Sequence, residues 1–231
     1  SYSERLRAYL GRQAPPVLFG AGPVDLLSGG GLAIVGSRAI DDAGRRYAQE
    51  VAAACAVHEI AVISGGARGA DLAAMTAALG EGGRAVGVMA DSLEKHALAG
   101  ETREAIEAGV LTLVTPYSPS ARFDVGLAMG RNKLIYALAD WALVVHCEPN
   151  KGGSWAGAVE ALRAGRTPVF VREDAGASSG RAGAAALLKR GARAFPPPPW
   201  DDLAGALSAA SSQGGKSGSA PAPRLAQGEL F

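Results

Sequence analysis

The stretch IAVISGGARGAD, residues 60–71, sets a β-branched apolar run against a glycine turn and then the opening of a helix. Ile, Val and Ile suit a pleated, buried strand. Gly65, Gly66 and Gly69 free the backbone where the chain must turn sharply or let something approach closely. Asp71 suits the first turn of a helix, where a carboxylate meets the positive end of the macrodipole. The segment therefore predicts a strand, a glycine loop and a helix.

The same grammar recurs outward in both directions. Apolar runs predict strands at 32–37, 60–66, 84–90, 110–115, 141–147 and 167–173. Between them, amphipathic stretches predict helices at 42–57, 69–80, 102–107, 132–139, 154–164 and 181–189. Alternating strands and helices imply an α/β fold, an open doubly wound and mostly parallel sheet of the extended Rossmann-like kind. This domain is expected to fill residues 1–204. Residues 205–231 are almost wholly Ala, Ser, Gly and Pro until a final QGELF, and are expected to form a flexible tail.

Composition narrows the function classes. The chain has 231 residues, enough for one full domain and a tail. A net charge of +1 excludes a global basic field, so any nucleic-acid contact must be a local patch. Two cysteines without a CxxC pair, and three scattered histidines, point to neither a disulfide framework nor a metal centre. No apolar run reaches the roughly 18–20 residues of a membrane span, and the charged first ten residues do not suit a signal peptide, so a cytoplasmic protein is expected.

Three loops fall at carboxyl ends of the predicted strands, where open sheets bind ligands. They are Gly36-Ser37-Arg38, the run Gly65, Gly66, Ala67, Arg68 and Gly69, and the run Asn150, Lys151, Gly152, Gly153 and Ser154. Each joins glycine to a cation or a hydroxyl, the pairing that cradles an anion with backbone N–H groups and charge. A fourth stretch, Gly130-Arg131-Asn132-Lys133, reads as the basic start of a helix whose Leu134, Ile135, Ala137 and Leu138 are core. It is either a solvated cap or a further phosphate contact. The loops spell neither GxGxxG nor a P-loop, so an ordinary dinucleotide or ATP cofactor is not expected. No nucleophile, acid and base set emerges, so no catalytic residue is assigned.

In order, APPVLFG, IVGSR, SGGARGAD, GRNKLIYALAD and GGSWAGAVEALRAGR resemble the blocks of the DNA-processing protein A (DprA/Smf) family, over about residues 14–172. The resemblance implies a Rossmann-like protein that binds single-stranded DNA, forms a homodimer and hands the strand to a RecA-type recombinase in DNA uptake and recombination. It further implies that Gly36, Ser37, Arg38, Gly66, Arg68, Gly69, Arg131, Asn132, Lys133, Gly153 and Ser154 line a DNA-phosphate pocket, beside Gly65 and Lys151 of the same loops. Phe123 and Trp155 are candidates for base stacking or, equally, for core packing. The sequence departs from the family pattern at Gly157, where threonine is usual, and at Glu160. No helical domain before residue 14 and no winged helix after residue 200 are expected.

The competing reading is a nucleoside-monophosphate phosphoribohydrolase of the lysine-decarboxylase-like superfamily, whose PGGxGTxxE loop the stretch KGGSWAGAVE approaches. Glu160 stands one residue further on than that pattern requires, which turns its side chain by about 100° on a helix. The final QGELF resembles a sliding-clamp docking peptide, with Gln227, Leu230 and Phe231 as its anchors.

Overall fold

The computed structural model describes residues 3–173 and 178–212. A single eight-stranded sheet runs in the order β1-β5-β4-β3-β2-β6-β7-β8. Its strands are β1 (Phe19–Ala21), β2 (Leu32–Gly36), β3 (Val62–Ser64), β4 (Ala85–Val88), β5 (Leu111–Thr115), β6 (Trp141–His146), β7 (Val169–Val171) and β8 (Arg193–Ala194). Every pairing is parallel except that of β1 with β5. The open, mostly parallel α/β sheet expected from the sequence is the one observed.

The helices are α1 (Glu4–Leu10), α2 (Asp42–Val57), α3 (Ala70–Gly80), α4 (Leu93–Ala97), α5 (Gly100–Glu107), α6 (Val125–Leu138), α7 (Gly152–Ala164), α8 (Ser178–Leu188) and α9 (Leu203–Ser212). Parallel strands covered on both faces read as unbroken apolar runs. All five residues of β2 are buried. Alternate residues supply opposite cores, since successive strand side chains point to opposite faces. Ala33 and Val35 join the core under α1, α6, α7 and α8, while Leu32 and Ile34 join the one under α2, α3 and α9.

The chain proceeds from β2 through β3 and β4 to β5 on one side, then returns to lay β6 against the other side of β2. That reversal opens a crevice outside the carboxyl ends of β2 and β6. Two caps start the helices that follow the β2 loop and the Phe123 segment. Asp41 accepts from the Gly44 N–H at 2.7 Å to start α2, and Asp124 accepts from the Leu127 N–H at 3.0 Å to start α6.

Three sequence expectations change. Helix α6 begins at Val125, so Gly130 to Lys133 lie inside it. Gly126 and Gly130 make the segment look like a loop, but Gly130 is there for its neighbour: a Cβ would sit 2.9 Å from the Tyr117 hydroxyl, which donates to the Leu127 carbonyl at 2.8 Å. The expected tail starts too early, because residues 205–212 belong to α9, whose Leu203 and Leu207 are fully buried one turn apart. Each such leucine contributes about 1.5–3 kcal/mol by burial, enough to fix a short Ala/Ser-rich helix that propensity alone would leave marginal. Elements α1, α4, β1 and β8 were not anticipated; each is seven residues or fewer, too short to show a period.

Candidate anion-binding crevice

The crevice at the switch point encloses about 350 Å³. Its floor is Val35 and Gly36 from β2, Asp71 from α3, Ile135 and Tyr136 from α6, and Cys147 after β6. Ser37, Arg38, Lys151 and Ser154 stand around the rim. At its mouth, Phe123, Val125 and Met129 are exposed apolar side chains. The Arg38 guanidinium lies 4.6 Å from the Phe123 ring centroid, so a cation and an aromatic face already sit together at the entrance.

Arg131 dominates the chemistry. It lines the crevice and is 5% exposed. Its Nη2 donates to the Gly65 carbonyl at 2.9 Å. Its Nε and Nη1 are buried and have no hydrogen-bond acceptor among the described residues. Gly65 is required here: a Cβ would fall 1.9 Å from Arg131 Nη1. Burial holds the guanidinium below its usual basicity, and the Asp71 carboxylate opposes that shift. Native structures rarely leave donors of a buried cation unused, and such groups demand an explanation.

Asp71 is the organiser behind Arg131. Its two carboxylate oxygens accept from the Gly36 and Gly65 N–H groups, each at 3.2 Å. One side chain thus ties the end of β2 to the end of β3. Burial pushes its carboxyl up to about 6, against the opposing pull of Arg131 and of the backbone N–H groups of Gly36, Gly65 and Ala67. From the sequence alone Asp71 is a first-turn carboxylate with no assigned partner. The available signal was its place six residues after Gly65, which puts a first-turn carboxylate over the glycine loop.

Helix α7 presents its N-terminus to the same space. Lys151 stands at its cap position without a side-chain cap bond, and Gly152, Gly153 and Ser154 line the crevice. Asn132 of α6 donates to the Gly153 carbonyl at 3.2 Å and fixes that approach. Lys151 and Glu148 pair at 2.8 Å in solvent, which raises the lysine and lowers the glutamate from their usual values. Burial pushes the Cys147 thiol up to about 12, so it stays neutral. An uncapped helix start, backbone N–H groups and a buried guanidinium with spare donors are features that favour an anion.

Of the expected site residues, the crevice brings together Gly36, Ser37, Arg38, Phe123, Arg131, Asn132, Lys151, Gly153 and Ser154. Gly65, Gly66, Arg68, Gly69, Lys133 and Trp155 are not among its lining residues. Gly65 makes room for Arg131, and Gly69, at φ +93°, lets the loop pass the Ser37 carbonyl, which a Cβ would meet at 2.4 Å. Arg68 is exposed on the turn. Trp155 is 7% exposed within the core, with the Arg190 guanidinium 5.3 Å from its ring centroid, so stacking on a base is closed to it. Lys133 and Glu160 line a second cleft, between α1, α6 and α7. Gln227, Leu230 and Phe231 lie outside the described residues. Among the described residues, no group of three His, Cys, Asp or Glu is placed to hold a metal, and no helix is long and apolar enough to cross a membrane.

Comparison with known proteins gives a consistent picture. The family model for DNA recombination-mediator protein A matches residues 1–201. A Mycobacterium tuberculosis protein, named provisionally as a DNA processing protein DprA, is 35% identical over 188 residues, covering 78% of this chain and 46% of the relative. The chain therefore spans about half the length of the curated relatives it matches at that level. The X-ray structure of DNA processing protein A from Streptococcus pneumoniae superposes with a TM-score of 0.72 at 27% identity, over 84% of this chain and 67% of that one. A Helicobacter pylori DNA processing protein A, described by its single-stranded DNA binding mode, shares the fold with a TM-score of 0.70 at 22% identity, over 84% and 88% of the two chains.

Proposed function

Because the chain belongs to the DNA recombination-mediator protein A family, we propose that its carboxyl-edge crevice holds a backbone phosphate of single-stranded DNA, bound without cleavage. The observation that carries this reading is Arg131, a buried guanidinium that lines the crevice and whose Nε and Nη1 have no acceptor among the described residues. A phosphate oxygen is the acceptor such a group suits best. The description of the Helicobacter pylori relative as a single-stranded DNA binder agrees with it.

Sequence-tolerant strand binding needs phosphate contacts and an aromatic platform close by. Arg38 beside the half-exposed Phe123 ring supplies both at the crevice mouth. The hydrolase reading gains nothing from the geometry. Its carboxylate, Glu160, belongs to the other cleft, and the acids of the crevice are Asp71, occupied by backbone N–H groups, and Glu148, paired with Lys151. Delivery of the strand to a RecA-type recombinase in the cytoplasm, assembly as a homodimer and docking of residues 227–231 on a sliding clamp complete the proposal.

Labelled oligo-dT should bind with an affinity that falls steeply with salt, and Arg38→Ala should weaken it several-fold. Release of free base from a nucleoside monophosphate, abolished by Glu160→Ala, would overturn the proposal. Pull-downs with a RecA-type recombinase and with the sliding clamp, the latter with and without residues 227–231, test the partners. Sedimentation tests the dimer.

A further inference from the structure

The cleft between α1, α6 and α7 encloses about 250 Å³ and has no part in the function argued above. Two phenols face it, Tyr9 from α1 and Tyr136 from α6. Both hydroxyl oxygens are buried and have no hydrogen-bond partner among the described residues, and Tyr136 as a whole is 2% exposed. Burial keeps the Tyr136 hydroxyl protonated well beyond its usual range, so it can donate as well as accept. Small residues of α7 hold the space open. Gly157, Ala161 and Ala164 form one stripe, and a Cβ on Gly157 would already come within 3.2 Å of the Tyr136 ring.

The charges in the cleft have mixed sign. Lys133 brings a donor and Glu160 an acceptor, while the third charged side chain, Arg166, donates to the Ala8 and Tyr9 carbonyls and lies 5.6 Å from the Tyr9 ring centroid. A free anion would meet the glutamate and a free cation the lysine, so the best occupant is uncharged, planar and edged with both donors and acceptors. A nucleobase has that character. Guanine matches it most closely, with N–H groups for the carboxylate and O6 and N7 for the ammonium.

Tyr136 lines this cleft and the phosphate crevice alike. Along α7, Gly153 lines the crevice and Gly157 the cleft, one turn or about 6 Å apart. That is a span a nucleotide covers between its phosphate and its base. We propose that the α1–α6–α7 cleft is a nucleobase pocket with a preference for guanine, filled by a base of the strand whose phosphate lies in the crevice. In its strand part the assignment rests on the function proposed above.

The test uses the full chain and two probes. Deoxyguanosine and thymidine, which carry no phosphate, are titrated by NMR; oligo-dT with and without one central guanine is titrated by anisotropy. Tyr9→Phe removes only a hydroxyl remote from the crevice, and Glu160→Gln changes an exposed side chain, so both variants should fold. Deoxyguanosine should bind better than thymidine and weaken at least fivefold in either variant. The single guanine should tighten strand binding at least threefold, and Tyr9→Phe should abolish that gain while leaving plain oligo-dT unchanged. Equal binding of the two nucleosides, or deoxyguanosine binding that survives both substitutions, overturns the pocket. Deoxyguanosine binding with no guanine gain in the strand overturns its use by the strand. Loss of all oligo-dT binding with nucleoside binding intact overturns the function proposed above and leaves the pocket standing.

Discussion

Arg131→Met keeps an unbranched apolar stem about as long as the arginine's to Nε and removes the guanidinium, which separates a structural arginine from a binding one. On the stability side the substitution loses one bond, Nη2 to the Gly65 carbonyl at 2.9 Å, a contribution of about 1.5–3 kcal/mol for a charged donor. Against that, Nε and Nη1 are buried without acceptors, and removing them relieves about 1–3 kcal/mol each. The net change should lie between about 1 kcal/mol of destabilisation and about 4 kcal/mol of stabilisation once the Asp71 carboxylate, left without its cation, is neutralised in an Asp71→Asn background. Binding has no such compensation. A phosphate that accepts from Nε and Nη1 loses about 3 kcal/mol, roughly a hundredfold in Kd. Urea midpoints and oligo-dT anisotropy at several salt concentrations measure the two sides. The slope of log K against log salt should also shrink by about 0.7, the share of one phosphate on a single strand. A variant destabilised by more than about 4 kcal/mol whose folded fraction binds as tightly as wild type would refute the reasoning and make Arg131 a structural residue.

Other outcomes follow from single features. The Asp71 carboxyl titrates near 6 in the native state against an ordinary 3.8. The native state therefore holds that proton more tightly than the unfolded chain, and stability falls as pH rises from about 4 to about 6, by up to ~3 kcal/mol. The slope should vanish in Asp71→Asn, read from urea midpoints across that range. Gly65→Ala would place a Cβ 1.9 Å from Arg131 Nη1. Because that arginine is enclosed, the clash should cost about 1–3 kcal/mol and displace the guanidinium, so oligo-dT binding falls together with Tm. Leu207→Ala should cost about 2–5 kcal/mol in chemical denaturation if α9 is core, and nothing if it behaves as tail. Phe123→Ala removes a half-exposed ring, so Tm should hold while strand binding loses about 1–3 kcal/mol.

The sheet was legible because its strands are short and buried on both faces, and such strands leave unbroken apolar runs between glycine turns. The crevice was legible for the same reason: Gly36, Ser37, Arg38 and Gly153 end up together because the topology brings the carboxyl ends of β2 and β6 side by side. What local sequence hid was direction and depth. Arg131 and Lys133 are two residues apart in a basic run, yet helix geometry turns them by about 200°, into different cavities. Trp155 is three residues into α7, where the helix meets the sheet, and so becomes core. Asp71 looked like a surface cap because nothing nearby in sequence shows that the β2 loop, 35 residues away, comes to lie over it.

The place of β2 between β3 and β6 also orders events on the ribosome. One edge of β2 can pair as soon as β3 emerges, whereas the other waits for Trp141, about 80 residues later, which at ~5–20 residues per second is roughly 4–16 s of synthesis. For that interval a strand buried at all five of its residues in the finished fold has a bare edge, open to pairing with another nascent chain. Helix α1 waits longer still, since Arg166 donates to the Ala8 and Tyr9 carbonyls and Arg5 pairs with Asp140. The crevice, whose lining runs from Val35 to Ser154, cannot close before the start of α7 is made, and synthesis stalled between β5 and β6 would leave a fragment prone to aggregation instead of a partial binder.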